Sequence, residues 1–464
     1  MSSFAAPRRI VIPAGVLIPL FFGVWAAAIA VAPSLTVKAI LMAPAVLVPL
    51  TWWTVHQPGR WLTLFFATAL LLPPLPIPIG DSGPHPCLVF AALGIFAGMV
   101  WVGKWRVDLH GVGGALLTLW IMLLASIALA ALNSGPEIAA GSLARVLLFA
   151  ISVYVFFYAA HGPGTVGLAA LYYFAVGSAL FACVDFYFQF PAPAGYGPQF
   201  VWLDTGVFRR AQGFFYEAST LGNFCSFFLV MIAVAFSRPR SESPAPRKAL
   251  IVGGVVFFAA LVLSYSRGSL VNLLVAALVL VWVNRRRIPF ARVAPVAGVF
   301  VAIAAFLTWK VFPTFAEMYW MRLSNTAEFF FTATNGVLSG RVASWRILLE
   351  WISMHPWETL IGIGYKTLPY TDYLGSAVVA DNMYLSLLVE TGIAGLAALL
   401  WLNFAILRAA AQAARSLRPR SAFCGTWMLC FWAGQIVQMF SGDLLTYWRV
   451  LPVYFFVLAM AVRE

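Results

Sequence analysis

Charged residues are scarce in this chain. Only 10% of its 464 residues are Asp, Glu, Lys or Arg, whereas a soluble globular protein has roughly 25%. Because 62% of the residues are hydrophobic, polar groups are too few to cover the surface of the folded chain in water. These two features exclude a soluble globular fold and indicate that lipid surrounds most of the protein.

Cysteine and histidine are also rare, with five residues of each. The cysteines lie in or beside apolar stretches, without the spacing of a zinc site or a disulfide framework, so we expect buried, inert thiols. The sequence also lacks a Walker loop, a GxSxG elbow, an HExxH helix and an Asp-x-Asp pair. These absences leave ATP hydrolysis, proteolysis and metal-dependent glycosyl transfer without support.

Apolar stretches that are long enough to cross a bilayer recur along the whole chain. The third stretch contains LLPPLPIPI, where proline interrupts a helix, and the ninth and tenth are separated only by SYSRG. The sequence therefore predicts an all-α polytopic membrane protein with about 12–14 transmembrane helices. We expect a single transmembrane domain over residues 1–464, beginning with a retained first helix.

The basic residues predict the orientation of these helices. With the N-terminus in the cytoplasm, eighteen of the 29 Lys and Arg residues fall on the cytoplasmic side and eleven fall outside. This pattern explains the net charge of +13 without nucleic acid, because the basic residues lie between apolar runs. Both termini are expected in the cytoplasm.

Two long connections fall on the outer side, over residues 189–216 and 311–381. Connections of this length are usually functional or disordered, and the second is rich in Trp, Phe, Leu and Tyr rather than in polar residues. Its segment GRVASWRILLEWISMH predicts an amphipathic helix. The expected apolar face comprises Val342, Trp345, Ile347, Leu348 and Trp351. We interpret this connection as a lid at the outer membrane interface.

Outward arginines oppose the positive-inside pattern, so they are candidate anion ligands. Arg209 and Arg210 precede the eighth span, Arg267 lies between the ninth and tenth, and Arg341 opens the amphipathic helix. A guanidinium binds phosphate through two parallel hydrogen bonds and keeps its charge. Contacts with lipid headgroups are the alternative, and for three other arginines both interpretations are equally open: Arg322, Arg346 and Arg449.

Glu217 and Asp381 each stand at the start of an apolar span. Such carboxylates serve either as helix caps or, beside an arginine cluster, as general bases that accept a hydroxyl proton. Glu390 lies deeper in its span and is either structural or functional. His355 precedes Pro356 and is either the end of the amphipathic helix or a ligand.

Four segments in order resemble the O-antigen ligase and Wzy-type polysaccharide polymerase superfamily. They are RRAQGFFYEASTLGNF, LSYSRGSLVNLLVAAL, LSGRVASWRILLEWISMHPWETLIGIGY and DNMYLSLLVETGIAGL, together covering roughly residues 205–400. The resemblance implies a GT-C-like glycosyltransferase of the bacterial inner membrane, with its site facing the periplasm. Its donor would be an undecaprenyl-diphosphate-linked glycan, with no cofactor and no metal. Arg209, Arg210, Arg267, Arg341, His355, Asn382 and Tyr384 would then bind substrate, and Asp381 or Glu217 would be catalytic.

The chain departs from the ligase pattern at two places. Asp381-Asn382 stands where ligases of the family usually have His-Asn, and Glu217-Ala218-Ser219 is closer to the Glu-Pro-Ser of exopolysaccharide polymerases. The resemblance therefore favours a polymerase of lipid-linked repeat units, with an acceptor glycan and a chain-length regulator as partners. A ligase that transfers glycan to lipid A-core, or to protein, is the second hypothesis. A lipid-linked oligosaccharide transporter is the third.

Overall fold

The structure, a computed structural model, describes residues 14–75, 83–190, 197–203, 206–285, 340–371, 374 and 378–463, with isolated residues between 306 and 328. This part of the chain contains fifteen α-helices and one β-hairpin. The helices are α1 (Ala14–Val31), α2 (Leu35–His56), α3 (Arg60–Leu71), α4 (Cys87–Val100), α5 (Val112–Ser134), α6 (Pro136–His161), α7 (Leu168–Phe188), α8 (Ala218–Phe236), α9 (Arg247–Leu263), α10 (Arg267–Val283), α11 (Arg341–Met354), α12 (Pro356–Ile361), α13 (Met383–Ala414), α14 (Pro419–Gln438) and α15 (Leu451–Val462). The antiparallel hairpin pairs β1 (Phe200–Leu203) with β2 (Gly206–Arg209).

The membrane fold expected from the sequence is confirmed. Five helices, α5, α6, α7, α8 and α13, are long and apolar enough to cross a bilayer, and shorter apolar helices pack among them. Helix α3 ends at Leu71, before the proline-rich stretch. The short link between α9 and α10 is also confirmed, because the Ser266 side chain caps the backbone N–H of Ser269 and starts a new helix.

Helix α15 lies at the centre of the bundle. Every residue from Leu451 to Ala461 is buried, and the helix packs against α6, α13 and α14. Aromatic edges fix its position, with 5.2 Å between the ring centres of Phe456 and Phe66. The 12 residues of α15 extend only about 18 Å, whereas the 26 residues of α6 extend about 39 Å. The link between α14 and α15 lies beyond the start of this short helix, with Leu444, Leu445 and Tyr447 buried there.

The two ends of the bundle differ in charge. The link between α14 and α15, the hairpin, the α9–α10 link and the start of α13 lie at the same end of the bundle, which we call the site end. At the opposite end, Arg463 donates to the carbonyls of Ala159 and Gly162. Most basic residues of the described helices lie at or near that opposite end: Arg60, Lys104, Arg106, Arg238, Arg240, Arg247, Lys248, Arg285, Arg408, Arg415, Arg418, Arg420 and Arg463.

The second long connection packs its described part onto α13. Trp345 donates through Nε1 to the carbonyl of Ala380 at 2.8 Å, while Leu348 and Trp351 are buried. The expected apolar face is therefore confirmed at these two buried residues, but Ile347 is 40% exposed. Of the three arginines left open by the sequence, Arg449 is buried and Arg346 is exposed, and Arg322 lies outside the described residues.

Helix α13 is interrupted where this connection docks. Gly392 has φ 71° and ψ −173°, and the carbonyls freed there accept hydrogen bonds from the connection. Ile363 donates to Val389 at 3.0 Å and Gly364 donates to Glu390 at 2.8 Å. A Cβ at Gly392 would lie 2.7 Å from the carbonyl carbon of Ile361. The break in α13 therefore depends on glycine, both for its backbone angles and for the close approach of the connection.

The substitution Gly392→Ala is expected to destabilise the protein by about 1–3 kcal/mol, because alanine is strained at positive φ and collides with the docked connection. Gly254→Ala is the matched control, since Gly254 lies inside α9 with Ile232 Cδ1 3.8 Å from the position of an added Cβ. Thermal unfolding of both variants in detergent measures the difference. An unfolding temperature for Gly392→Ala equal to that of the control would contradict the role of this glycine.

Candidate active site

Arg210 joins the β-hairpin to the α9–α10 link. It directly follows β2, and its Nε donates to the carbonyl of Ser264 at 2.9 Å. The next residue, Ala211, donates its backbone N–H to the carbonyl of Leu263. These two bonds hold the Arg210 guanidinium within electrostatic range of Arg267, the first residue of α10, and of Arg341, the first residue of α11. The structure thus brings together three arginines that are far apart in the sequence.

Glu217 is at the N-cap position of α8, but its carboxylate makes no capping hydrogen bond. The oxygen Oε2 accepts instead from the hydroxyl of Ser219 at 2.8 Å. The carboxylate is half-buried and lies close enough to Arg210 and Asp381 to interact with both electrostatically. Helix capping therefore does not explain this carboxylate, which faces the arginine cluster.

Asp381 does not cap its helix either. Its neighbour Asn382 is the N-cap of α13, and the Asn382 side-chain oxygen accepts from the N–H groups of Tyr384 and Leu385. Asp381 has a φ of 43° and pairs with Arg341, with 3.1 Å between Oδ2 and Nε. Asp381 thereby fixes one of the three arginines, whereas Glu217 has a hydroxyl as its direct partner.

Three further polar residues at the site end did not emerge from the sequence. Lys366, in the docked connection, forms a buried ion pair with Asp443, in the link between α14 and α15. Tyr447, in the same link, interacts with Ser219 and Glu217. An acidic residue in a short link between two apolar spans is the signal by which Asp443 could have been found. Lys366 is one of the eleven basic residues on the outer side, the same signal that selected the outward arginines, whereas Tyr447 carries no local signal.

Electrostatic effects at the site separate the roles of these groups. Burial raises the pKa of Glu217, and the nearby Asp381 and Asp443 raise it further, against the hydrogen bond from Ser219 and the charge of Lys366. Burial lowers the pKa of Arg210, while Glu217 opposes this effect. Burial also lowers the pKa of Lys366, but Asp443 and Glu390 outweigh it, so the net shift is upward and the ammonium stays charged. The raised pKa means that Glu217 takes up a proton at a higher pH than an exposed glutamate does.

The structure places three of the expected substrate ligands in local contacts. Arg209 pairs with Asp185 at the end of α7, with 3.2 Å between Nη2 and Oδ2. The Tyr384 hydroxyl donates to the carbonyl of Ile436 at 2.9 Å. His355 lies at the junction of α11 and α12, with its ring stacked on Trp351 and its Nδ1 3.0 Å from the Trp351 carbonyl. Each of these residues has a structural role in the described contacts.

The arrangement of the cluster defines a class of protein. Three guanidinium groups and one half-buried carboxylate at one end of a membrane bundle can bind a polyanion and accept a proton. Both tasks are required of a membrane glycosyltransferase that acts on a lipid-linked diphosphate. The class is therefore a multi-pass membrane enzyme.

Comparison with known families gives a match over part of the chain. Residues 252–400 match the O-antigen ligase family (Wzy_C), a range that contains Arg267, Arg341 and Asp381. This stretch is therefore similar to bacterial membrane glycosyltransferases of polysaccharide and lipopolysaccharide biosynthesis. No curated protein matches the chain. Arg210 and Glu217 precede the matched range, and their place at the site rests on the geometry.

Proposed function

We propose that the protein polymerises undecaprenyl-diphosphate-linked oligosaccharide repeat units into O-antigen or exopolysaccharide at the periplasmic face of the inner membrane. The observation that carries this proposal is the convergence of Arg210, Arg267 and Arg341 with Glu217 at the site end of the bundle. The excess of basic residues at the opposite end supports a cytoplasmic position for that end. The site end then faces the periplasm, where the lipid-linked units are presented.

The proposed reaction is a glycosyl transfer in which the arginines and Glu217 act through their charges. A hydroxyl oxygen of the acceptor sugar attacks the anomeric carbon of the donor, forming a new glycosidic bond with inversion. The bond from that carbon to the diphosphate oxygen breaks, and undecaprenyl diphosphate leaves with the electron pair. The three arginines stabilise its negative charge in the transition state. The hydroxyl proton passes to Glu217 and from there to solvent.

Two features support Glu217 rather than Asp381 as the base. The direct partner of Asp381 is the Arg341 guanidinium, so this carboxylate is already engaged in an ion pair. Glu217 has a hydroxyl as direct partner and a raised pKa caused by burial. In this assignment Asp381 positions Arg341.

Reconstitution in proteoliposomes tests the proposed function. Purified protein is given undecaprenyl-diphosphate repeat units from the source strain, with or without lipid A-core, and the products are separated on a gel. A ladder of lipid-linked chains without any added acceptor is expected from a polymerase. Product that forms only with lipid A-core would establish the ligase named by the family instead. Substrate that moves across the bilayer unchanged would indicate a transporter.

A further inference from the structure

Arg449 is a buried cation that the proposed reaction does not use directly. It is 3% exposed and lies two residues before α15 begins. The C-terminal ends of α15 and α6 lie side by side, because Arg463 donates to the carbonyls of Ala159 and Gly162. The start of α15 is therefore roughly 20 Å short of the other end of α6, at 1.5 Å per residue. This position lies within the thickness of about 30 Å that hydrocarbon occupies.

A guanidinium at this depth is costly unless protein groups replace water around it. Arg449 donates through Nη2 to the carbonyl of Phe214, and its guanidinium carbon lies 5.4 Å from the ring centre of Phe215 and 5.9 Å from that of Trp448. Contacts with lipid headgroups, one of the two interpretations open from the sequence, are excluded by this burial.

The neighbouring His85 does not compete for these partners. Its Nδ1 accepts from the backbone N–H of Cys87, and its Nε2 therefore carries the proton that it donates to the Leu72 carbonyl. The ring is neutral in this arrangement. Arg449 thus supplies the positive charge at this point.

The partners of Arg449 lie on the segment that carries the proposed catalytic groups. Phe214 and Phe215 stand between Arg210 and Glu217 in the sequence. The segment turns at Gly213, which has φ 54° and lies against Ala182, so its path is fixed on that side. Arg449 fixes it on the other side, from the same link that carries Asp443 and Tyr447.

We infer that Arg449 is a positioning residue, which fixes the segment from Arg210 to Glu217 against the link between α14 and α15. This inference rests on the proposed function, because Arg210 and Glu217 are the groups that it positions. A displacement of about 1 Å at a catalytic group is enough to lower turnover by roughly a hundredfold. Lysine at this position keeps the charge and one hydrogen bond, and glutamine keeps neither the charge nor the stacking.

The test compares Arg449→Gln and Arg449→Lys with Arg415→Gln, an exposed arginine at the opposite end of the bundle. The first readout is glycan turnover, which is expected to fall at least tenfold in the glutamine variant, less in the lysine variant, and not in the control. The second readout is the rate at which a membrane-impermeant maleimide labels a cysteine introduced as Tyr216→Cys. Tyr216 is 47% exposed and lies within the segment, whereas Cys424 and Cys430 are buried and report any general loosening.

We expect faster labelling at residue 216 in Arg449→Gln, with Cys424 and Cys430 still protected. Labelling at the unaltered rate would overturn the inference, and so would faster labelling with full turnover. Should the glutamine variant fail to fold, the lysine variant carries both readouts. If the parent chain makes no glycan, the proposed function fails, and the labelling comparison still decides whether Arg449 fixes this segment.

Discussion

Replacing Arg267 with glutamine is expected to lower glycan polymerisation by about a hundredfold or more. Removal of one donor from a site that stabilises developing charge costs roughly 10²–10³ in turnover. Arg267→Lys should recover only part of this loss, because an ammonium keeps the charge but cannot form two parallel hydrogen bonds with a phosphate. Rates of chain growth in proteoliposomes measure both effects.

Arg285→Gln is the matched control for this prediction. Arg285 follows the other end of the same helix, is exposed, and lies 5.9 Å from the ring centre of Trp282. Its replacement should leave chain growth within about twofold of the parent rate, since single surface substitutions have small effects. If Arg267→Gln matched this control, the assignment of the arginine cluster to the diphosphate would be wrong.

Glu217→Gln is expected to reduce turnover by about 10²–10⁴, the usual contribution of a general base, while leaving the affinity for the lipid-linked unit nearly unchanged. Glutamine preserves the size of the side chain and the contact with Ser219 but cannot take up the hydroxyl proton. Glu137→Gln, at an exposed glutamate in the first turn of α6, should leave turnover unchanged. A glutamine variant at residue 217 with parental turnover would remove Glu217 from the mechanism.

The pH profile gives an independent measure of the same group. Burial raises the pKa of Glu217, and the active form is the ionised carboxylate. Activity should therefore fall as pH decreases through a pKa above that of an exposed glutamate, and this acidic limb should be absent from the residual activity of Glu217→Gln. An acidic limb that stayed unchanged in the variant would assign the titration to another group.

The sequence predicted those structural features whose cause lies within a single short segment. Apolar length predicted the spans, proline predicted the end of α3, and the short SYSRG segment predicted the tight link between α9 and α10. The outward arginines indicated the site because each opposes the positive-inside pattern. In each case the cause lies within a few residues of its effect.

Other features depend on contacts between distant segments. From the sequence, Asp381 and Glu217 were both candidates for helix caps. In the structure, Asn382 caps α13 instead of Asp381. The pairing of Lys366 with Asp443 and the contact of Arg449 with Phe214 join residues far apart in the chain. The break at Gly392 is stabilised by N–H groups from the docked connection, so it could not be read from α13 alone.

The central claim is that this protein joins two lipid-linked glycans and releases undecaprenyl diphosphate. Mass spectrometry of a reaction that begins with one defined repeat unit and no other acceptor tests it most directly. We expect lipid-linked products that grow by whole repeat units, with one undecaprenyl diphosphate released for each bond formed, and about a hundredfold less of both products with Arg267→Gln. Undecaprenyl diphosphate released with free, unlinked glycan, or a substrate that remains intact, would contradict it.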